Sequence, residues 1–144
     1  MKLLKKFTPI AFLFIFFTSA YAADENIEML NQLGNESMVY SKKIVRINVG
    51  DTVFWKATDK GHNVEFIKNG VPDGVEKFKS KYNKDVEYTF NIPGIYAYWC
   101  TPHKNMGMIG FVVVGGDKSN LDAIKKIRYS AKSKKIAPDL INSL

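Results

Sequence analysis

Short apolar segments, some of them alternating with polar residues as at 44–49 and 86–91, recur along residues 38–114, and this pattern constrains the fold more than any other feature of the chain. The segments are rich in β-branched and aromatic residues, and turn pairs such as Gly50-Asp51 and Pro93-Gly94 separate them, as is typical of strands joined by tight connections. Residues 26–33 are interpreted as an edge strand or a short turn of helix. Several short strands at this spacing predict a β-sandwich. The predicted strands cover residues 38–40, 44–49, 52–57, 62–67, 86–91, 95–100 and 109–114.

The pattern changes after residue 116, where apolar residues recur at helical spacing. Three of them fall on one face of a helix predicted for residues 119–130. A short linker over residues 131–136 leads to a second predicted helix around residues 138–144. Pro138 would lie in its first turn, where a missing N–H is tolerated. The sandwich is therefore expected to carry two C-terminal helices.

The N-terminus has the three parts of a secretory signal. Three lysines among the first six residues precede an apolar run, and small residues at 20–22 offer the pattern that a signal peptidase reads. The apolar run is short for a membrane span, and an uncleaved anchor is the alternative. We expect a signal peptide over residues 1–22, with cleavage after Ala22 or Ala23, and a single domain over residues 23–144. The mature protein would then be exported to the periplasm.

The chain carries more cationic than anionic residues. It has 21 Lys and Arg against 14 Asp and Glu, a net charge of +7, and loss of the three signal lysines leaves +4. Arg46 and Arg128 are the only arginines. Without an arginine patch or a recognised motif, nucleic-acid binding is a poor interpretation, and no membrane attachment is expected after cleavage. Attraction to an acidic protein partner fits the charge better, and we expect a monomer.

Residues 97–110 read A-Y-W-C-T-P-H-K-N-M-G-M-I-G and contain several side chains that bind soft metals. They include the only cysteine, Cys100, one of the two histidines, His103, and two methionines. A lone cysteine in an exported protein cannot form an internal disulfide, so it is buried, paired between chains or chemically used. The other histidine, His62, lies at the start of a predicted strand.

A thiolate, two imidazoles and a thioether form a donor set that suits copper in both of its oxidation states. Cys100 and His103 have a C-x2-H spacing, and Met108 precedes the next predicted strand, so one loop could supply three ligands. His62 would come from a neighbouring strand. Each residue also has a simpler interpretation: a buried apolar cysteine, a solvated histidine, or a core methionine. From the spacing, Met106 is an alternative axial ligand, and zinc could occupy the same site.

Four segments resemble the pseudoazurins, which are type 1 blue-copper proteins of the cupredoxin family: D-K-G-H-N-V-E, E-K-F-K-S-K, P-G-I-Y and C-T-P-H-x-x-M-G-M-I-G. The likeness extends over essentially the whole mature chain. It implies an all-β, cupredoxin-type Greek-key β-sandwich with two C-terminal α-helices and one type 1 copper ion per chain. The implied copper ligands are His62, Cys100, His103 and Met108, which favours Met108 over Met106 as the axial ligand.

The resemblance also implies roles for residues around the ligands. Asn63 would tie the two ligand loops together near the cysteine sulfur, and Met38 would pack near the second histidine. Pro102 would stiffen the loop between the ligands. Trp99 and the Lys104-Asn105 pair depart from the family pattern and are expected to alter the surface while leaving the ligands untouched.

The function implied by the resemblance is electron transfer by a periplasmic copper protein that is not an enzyme. The implied partners are a nitrite reductase or a similar respiratory enzyme, and cytochrome c. His103 would be the point of electron entry and exit, with Met106 in a small apolar contact patch. Two other classes of function are an exported copper carrier or chaperone and a Cys–His hydrolase or peroxidase. The lysines that could steer an acidic partner are Lys60, Lys79, Lys81 and Lys104.

Overall fold

The computed structural model describes residues 24–144, and the predicted signal peptide lies outside them. The described residues form eight strands followed by two helices. In chain order these are β1 (Glu25–Leu33), β2 (Glu36–Tyr40), β3 (Ile44–Ile47), β4 (Thr52–Lys56), β5 (Glu65–Phe66), β6 (Val86–Thr89), β7 (Gly94–Trp99), β8 (Ile109–Val114), α1 (Leu121–Lys125) and α2 (Ala131–Asn142).

The strands form two four-stranded mixed sheets. The first sheet has the order β2-β1-β4-β6, and the second has the order β3-β8-β7-β5. The pairs β1–β4 and β3–β8 are parallel, whereas the other neighbours are antiparallel. The predicted β-sandwich with C-terminal helices is therefore present, and its second sheet contains the strands on either side of the cysteine loop.

The second sheet is covered on both faces, which explains why every residue of β8 is buried. One face packs against the first sheet in a core cluster that includes Trp55, Tyr98 and Val112. The other face packs against the helices in a second cluster that includes Phe111 and Ile124. Alternate residues of β7 and β8 thus contribute to different cores.

The first strand and both helices differ from their predicted positions or bounds. β1 is an inner strand rather than an edge strand or a helical turn, because it pairs with β2 on one side and β4 on the other. α1 is shorter than predicted, and α2 begins at Ala131, so the predicted linker is helical and Pro138 lies inside the helix. Packing of α2 outweighs the low helix propensity of its proline. Ser133, Ala137 and Ile141 recur at four-residue spacing, and all three are buried.

The strand predicted at 62–67 is reduced to the two residues of β5, so His62 lies in the preceding loop rather than at a strand start. The loop is held by two hydrogen bonds between Val64 and Ser80. The Val64 amide donates to the Ser80 hydroxyl at 2.9 Å, and the Ser80 amide donates to the Val64 carbonyl at 2.8 Å. Within residues 24–144, neither helix is long and apolar enough to cross a bilayer.

Candidate metal centre

Three side chains that were singled out from the sequence converge on one point. The Nδ1 atoms of His62 and His103 lie 3.1 Å apart, and the Cys100 sulfur lies 3.7 and 3.5 Å from them respectively. The three potential ligand atoms all lie within 4.8 Å of one another. Cys100 and His62 are fully buried, and His103 is partly exposed. One small ion could contact all three atoms.

The ligand loop is closed by the antiparallel pairing of β7 and β8. Trp99 pairs with Ile109 at the end of the ladder, and the Cys100 amide then donates to the Met108 carbonyl at 3.0 Å. The His103 amide donates to the Cys100 carbonyl at 3.1 Å, which turns the histidine back toward the sulfur. Residues 101–107 therefore form a compact turn between two fixed strand ends.

Asn31 holds His62 in the required orientation, and sequence reasoning did not identify it. The His62 Nε2 atom lies 2.9 Å from the Asn31 Oδ1 atom, so an Nε2–H donating to this oxygen leaves Nδ1 as a free acceptor. The backbone N–H of Asn31 donates to the Asp59 carboxylate at 2.6 Å. The tautomer with the proton on Nε2 leaves the Nδ1 lone pair available, as binding of a metal through that atom requires.

Asn63 joins the His62 loop to the cysteine loop. The Thr101 amide donates to the Asn63 Oδ1 atom at 2.8 Å, and the Asn63 Nδ2 atom donates to the Thr101 hydroxyl at 3.0 Å. The Thr101 hydroxyl donates to Glu65 at 2.7 Å, and the Trp99 indole donates to the same carboxylate oxygen at 3.1 Å. The two loops that carry the candidate ligands are thus cross-linked by polar groups.

Burial disfavours charge on the candidate ligands in the metal-free protein. Burial raises the pKa of the Cys100 thiol, although the backbone N–H groups of Asn63 and His103 partly oppose this. Burial lowers the pKa of His62, with a further lowering from His103 and an opposing effect of Asp59. Burial also lowers the pKa of His103. Neutral imidazoles are ready to bind a metal, whereas the thiol must release its proton when a metal binds.

We expect the stability of the metal-free protein to fall as the pH drops below about 6.5. The unfolded histidines bind protons near that pH, whereas His62 and His103 in the folded state bind them only at lower pH. The contribution of the two neutral histidines to the stability of the folded state is therefore complete above about pH 6.5 and is lost as the pH falls. Urea unfolding between pH 7.5 and 5 measures this. Replacing both histidines with glutamine should flatten the curve, and a flat curve for the unaltered protein would contradict the prediction.

The methionines occupy different environments. Met108 is fully buried and belongs to the same core cluster as Cys100, whereas Met106 is 42% exposed on the loop. Met38 is half-buried, packs against that cluster, and has a φ of +52°. Pro102 is exposed beside the candidate ligands.

The four lysines that were predicted to steer a partner differ in their surroundings. Lys60 and Lys81 are exposed. Lys79 forms an ion pair with Glu65 at 3.4 Å, and the Lys104 ammonium lies 4.8 Å from the centre of the Trp99 ring. Trp99 therefore lies between a carboxylate and a cation, and this is an environment that the sequence did not predict.

Comparison with known proteins identifies the family. Residues 27–115 match the family model of copper binding proteins of the plastocyanin/azurin family. A pseudoazurin from Paracoccus pantotrophus is 44% identical over 114 residues, which cover 79% of each chain. The chain belongs to the pseudoazurin family. A pseudoazurin from Methylorubrum extorquens is 39% identical over 79% of this chain and 78% of the relative.

The fold agrees with this family. The crystal structure of native pseudoazurin from Hyphomicrobium denitrificans has a TM-score of 0.79 and 34% identity, and the match covers 85% of this chain and 98% of that one. The resemblance to the pseudoazurins and the predicted cupredoxin fold with two C-terminal helices are therefore confirmed.

Copper is the cofactor of this family, and the residues present fit it. The site offers two imidazole nitrogens and one sulfur around a single point, a combination of borderline and soft donors that suits copper. The buried Met108 lies at the end of the same loop. The protein is a copper electron carrier, and its partners are redox proteins.

Proposed function

We propose that the protein is a periplasmic electron carrier that binds one copper ion through His62, Cys100, His103 and Met108. The observation that carries this proposal is the convergence of the two Nδ1 atoms and the sulfur. Because Asn31 occupies the other nitrogen of His62, the free Nδ1 atom points to a shared partner. The burial of Met108 beside Cys100, in contrast with the exposed Met106, supports Met108 as the axial ligand.

The bound copper would supply the one-electron chemistry, and the protein would hold its ligands in place. The bonds between Asn63 and Thr101 fix the distance between the two ligand loops. A rigid donor set changes little when the charge of the bound ion changes, so little free energy is spent on reorganisation. His103 is the partly exposed member of the set and is therefore the proposed route by which electrons enter and leave. Pro102 and Met106 are exposed beside it and would form the apolar contact.

A Cys–His hydrolase or peroxidase is a poor alternative for this geometry. The Cys100 sulfur would have to reach a substrate as a nucleophile, but Cys100 is fully buried. Burial also raises the pKa of the thiol, which disfavours the reactive thiolate. We therefore assign no catalytic role to the pair.

An exported copper carrier that delivers the metal itself is the second candidate. Its site would have to exchange ions readily, whereas two of the three converging residues are fully buried here. Addition of Cu(II) to the purified mature protein distinguishes the two functions. An electron carrier should become intensely coloured and lose and regain that colour over cycles of reduction and reoxidation. A protein that remains colourless and retains only Cu(I) would favour the carrier of copper.

We further propose that residues 1–22 direct export to the periplasm and that the protein acts there as a monomer. Its proposed partners are a nitrite reductase or a similar respiratory enzyme, together with a cytochrome c. These assignments follow from the sequence of the N-terminus and from the family.

Electron transfer to an acidic partner should depend on Lys60 and Lys81. Both are exposed, and Lys60 lies two residues before His62. Changing both to glutamate should lower the second-order transfer rate by about tenfold at low ionic strength, because steering is lost. Stopped-flow kinetics over a series of salt concentrations measure this. The Lys125→Glu/Lys126→Glu variant makes the same change of net charge at the C-terminal end of α1. Equal slowing in both variants, or a rate indifferent to salt, would contradict the prediction.

A further inference from the structure

The N-terminal part of α2 contacts the ligand loop at three consecutive points. The hydroxyl of Ser133, which is fully buried, donates to the Lys104 carbonyl. The Lys132 amide donates to the Asn105 carbonyl at 3.1 Å. The Ser130 hydroxyl hydrogen-bonds the Asn105 side-chain oxygen at 2.5 Å. The residues held in this way directly follow His103.

Gly107 adds an apolar contact to these polar ones. It is buried, and a Cβ atom placed on it would lie 3.3 Å from both the Ile136 and the Lys132 side chains. The backbone of the loop therefore packs directly against α2. Gly107 also has a φ of +97°, which side chains rarely tolerate.

The start of α2 is itself held in an unfavourable conformation. Ala131 has a φ of +49°, and left-handed backbone is unfavourable at a residue that carries a Cβ atom. Such a conformation persists only where the surrounding contacts require it. Ser130 and Lys132, on either side of Ala131, both hydrogen-bond to Asn105. These contacts to the loop can therefore maintain the left-handed conformation of Ala131.

We propose that α2 is a positioning element for the metal centre and that Ser133 is its central residue. Among residues 24–144, no strand pairs with the loop between His103 and Met108, so the shape of this loop depends on what it packs against. By satisfying the Lys104 and Asn105 carbonyls, α2 fixes the backbone next to His103 and limits the movement of that side chain. This positioning role rests on the proposed function of His103 as a copper ligand and electron route. It would give the C-terminal helices a function in the metal centre.

The test compares Ser133→Ala with Ser143→Ala. Ser143 lies at the other end of α2 and donates to the Leu140 carbonyl, so its replacement removes an exposed bond between a hydroxyl and a carbonyl away from the loop. Amide hydrogen exchange of residues 103–108 in the metal-free protein is the first measurement. Loss of one buried hydrogen bond should accelerate exchange there by about 5- to 30-fold, while β7 and β8 remain protected. Ser143→Ala should match the unaltered protein.

Electron self-exchange of the copper-loaded protein is the second measurement. A more mobile His103 requires more reorganisation, so Ser133→Ala should lower the self-exchange rate by about threefold or more without loss of the blue colour. If Ser133→Ala fails to fold, Asn105→Ala removes the exposed bond to Ser130 and should also accelerate exchange in the loop. The proposal is overturned if the folded variants leave both the amide hydrogen exchange of the loop and the rate of electron self-exchange unchanged. A colourless unaltered protein would instead overturn the proposed function, and the metal-free exchange data would still stand.

Discussion

Replacement of Cys100 with serine is expected to abolish the visible absorption of the copper-loaded protein entirely. The colour of such a centre arises from charge transfer between a thiolate and Cu(II), and Cys100 is the only cysteine of the chain. A serine hydroxyl keeps the size and burial of the side chain but is a hard donor that stays protonated. Visible absorption and EPR spectra recorded after addition of Cu(II) measure the effect. A variant that retains the intense band would show that another residue supplies the colour.

The methionine variants provide the comparison for this experiment. Met108→Ala should shift the spectrum and the reduction potential while some copper binding remains, because a weak axial donor tunes the site and the two imidazoles and the thiolate still hold the ion. Met106→Ala should leave both nearly unchanged, since that side chain is 42% exposed on the loop. A larger perturbation by Met106→Ala would mean that the axial ligand is assigned wrongly.

Local spacing was enough to predict that Cys100 and His103 lie close together. Cys100, His103 and Met108 lie within nine residues, and the strands on either side of them are recognisable as short apolar runs bounded by turn residues. β8 was predicted with its observed bounds, because an apolar, valine-rich run that ends at Gly115-Gly116 is a strong strand signal. A short loop between two paired strands leaves few ways to place its side chains.

The supporting residues were not predictable in the same way. Asn31 acts on His62 from β1, and Ser133 acts on the loop from α2. Each is a single polar residue, and only the tertiary fold brings it to the site. The role proposed for Asn63 between the two ligand loops comes from the family resemblance and not from a signal of its own in the sequence. His62 was expected on a strand, whereas the bonds between Asn63 and Thr101 and those of Val64 to Ser80 keep this segment in a loop.

The helices show how packing decides boundaries that propensity leaves open. Residues 131–136 are rich in lysine and serine and precede a proline, so they were interpreted as a linker. In the structure they form the first half of α2 because Ser133 and Ala137 lie against the sheet and the ligand loop. The exposed side of the helix accommodates Pro138, which limits the cost of its missing N–H.

Gly110→Ala is expected to destabilise the protein strongly and to disturb the metal centre. Gly110 lies directly beneath the ring of Tyr98, and an added Cβ atom would overlap that ring. Tyr98 cannot easily move away, because it packs edge-on against Tyr40 and Trp55 with ring centres 5.0 and 5.3 Å away. Overpacking of this kind costs about 1–3 kcal/mol. Urea unfolding of the metal-free protein gives the change in the free energy of unfolding.

Two further variants separate this steric cost from the general cost of replacing a glycine. Gly116 has a φ of +66° and open space around its Cα, so Gly116→Ala should show only the backbone cost of about 1 kcal/mol. Tyr98→Leu removes the ring that would be overlapped, and Gly110→Ala should cost much less in that background. Since Tyr98 and Cys100 belong to one core cluster, Gly110→Ala should also shift the copper spectrum, whereas Gly116→Ala should not. Equal costs of Gly110→Ala in both backgrounds would show that the ring does not require this glycine.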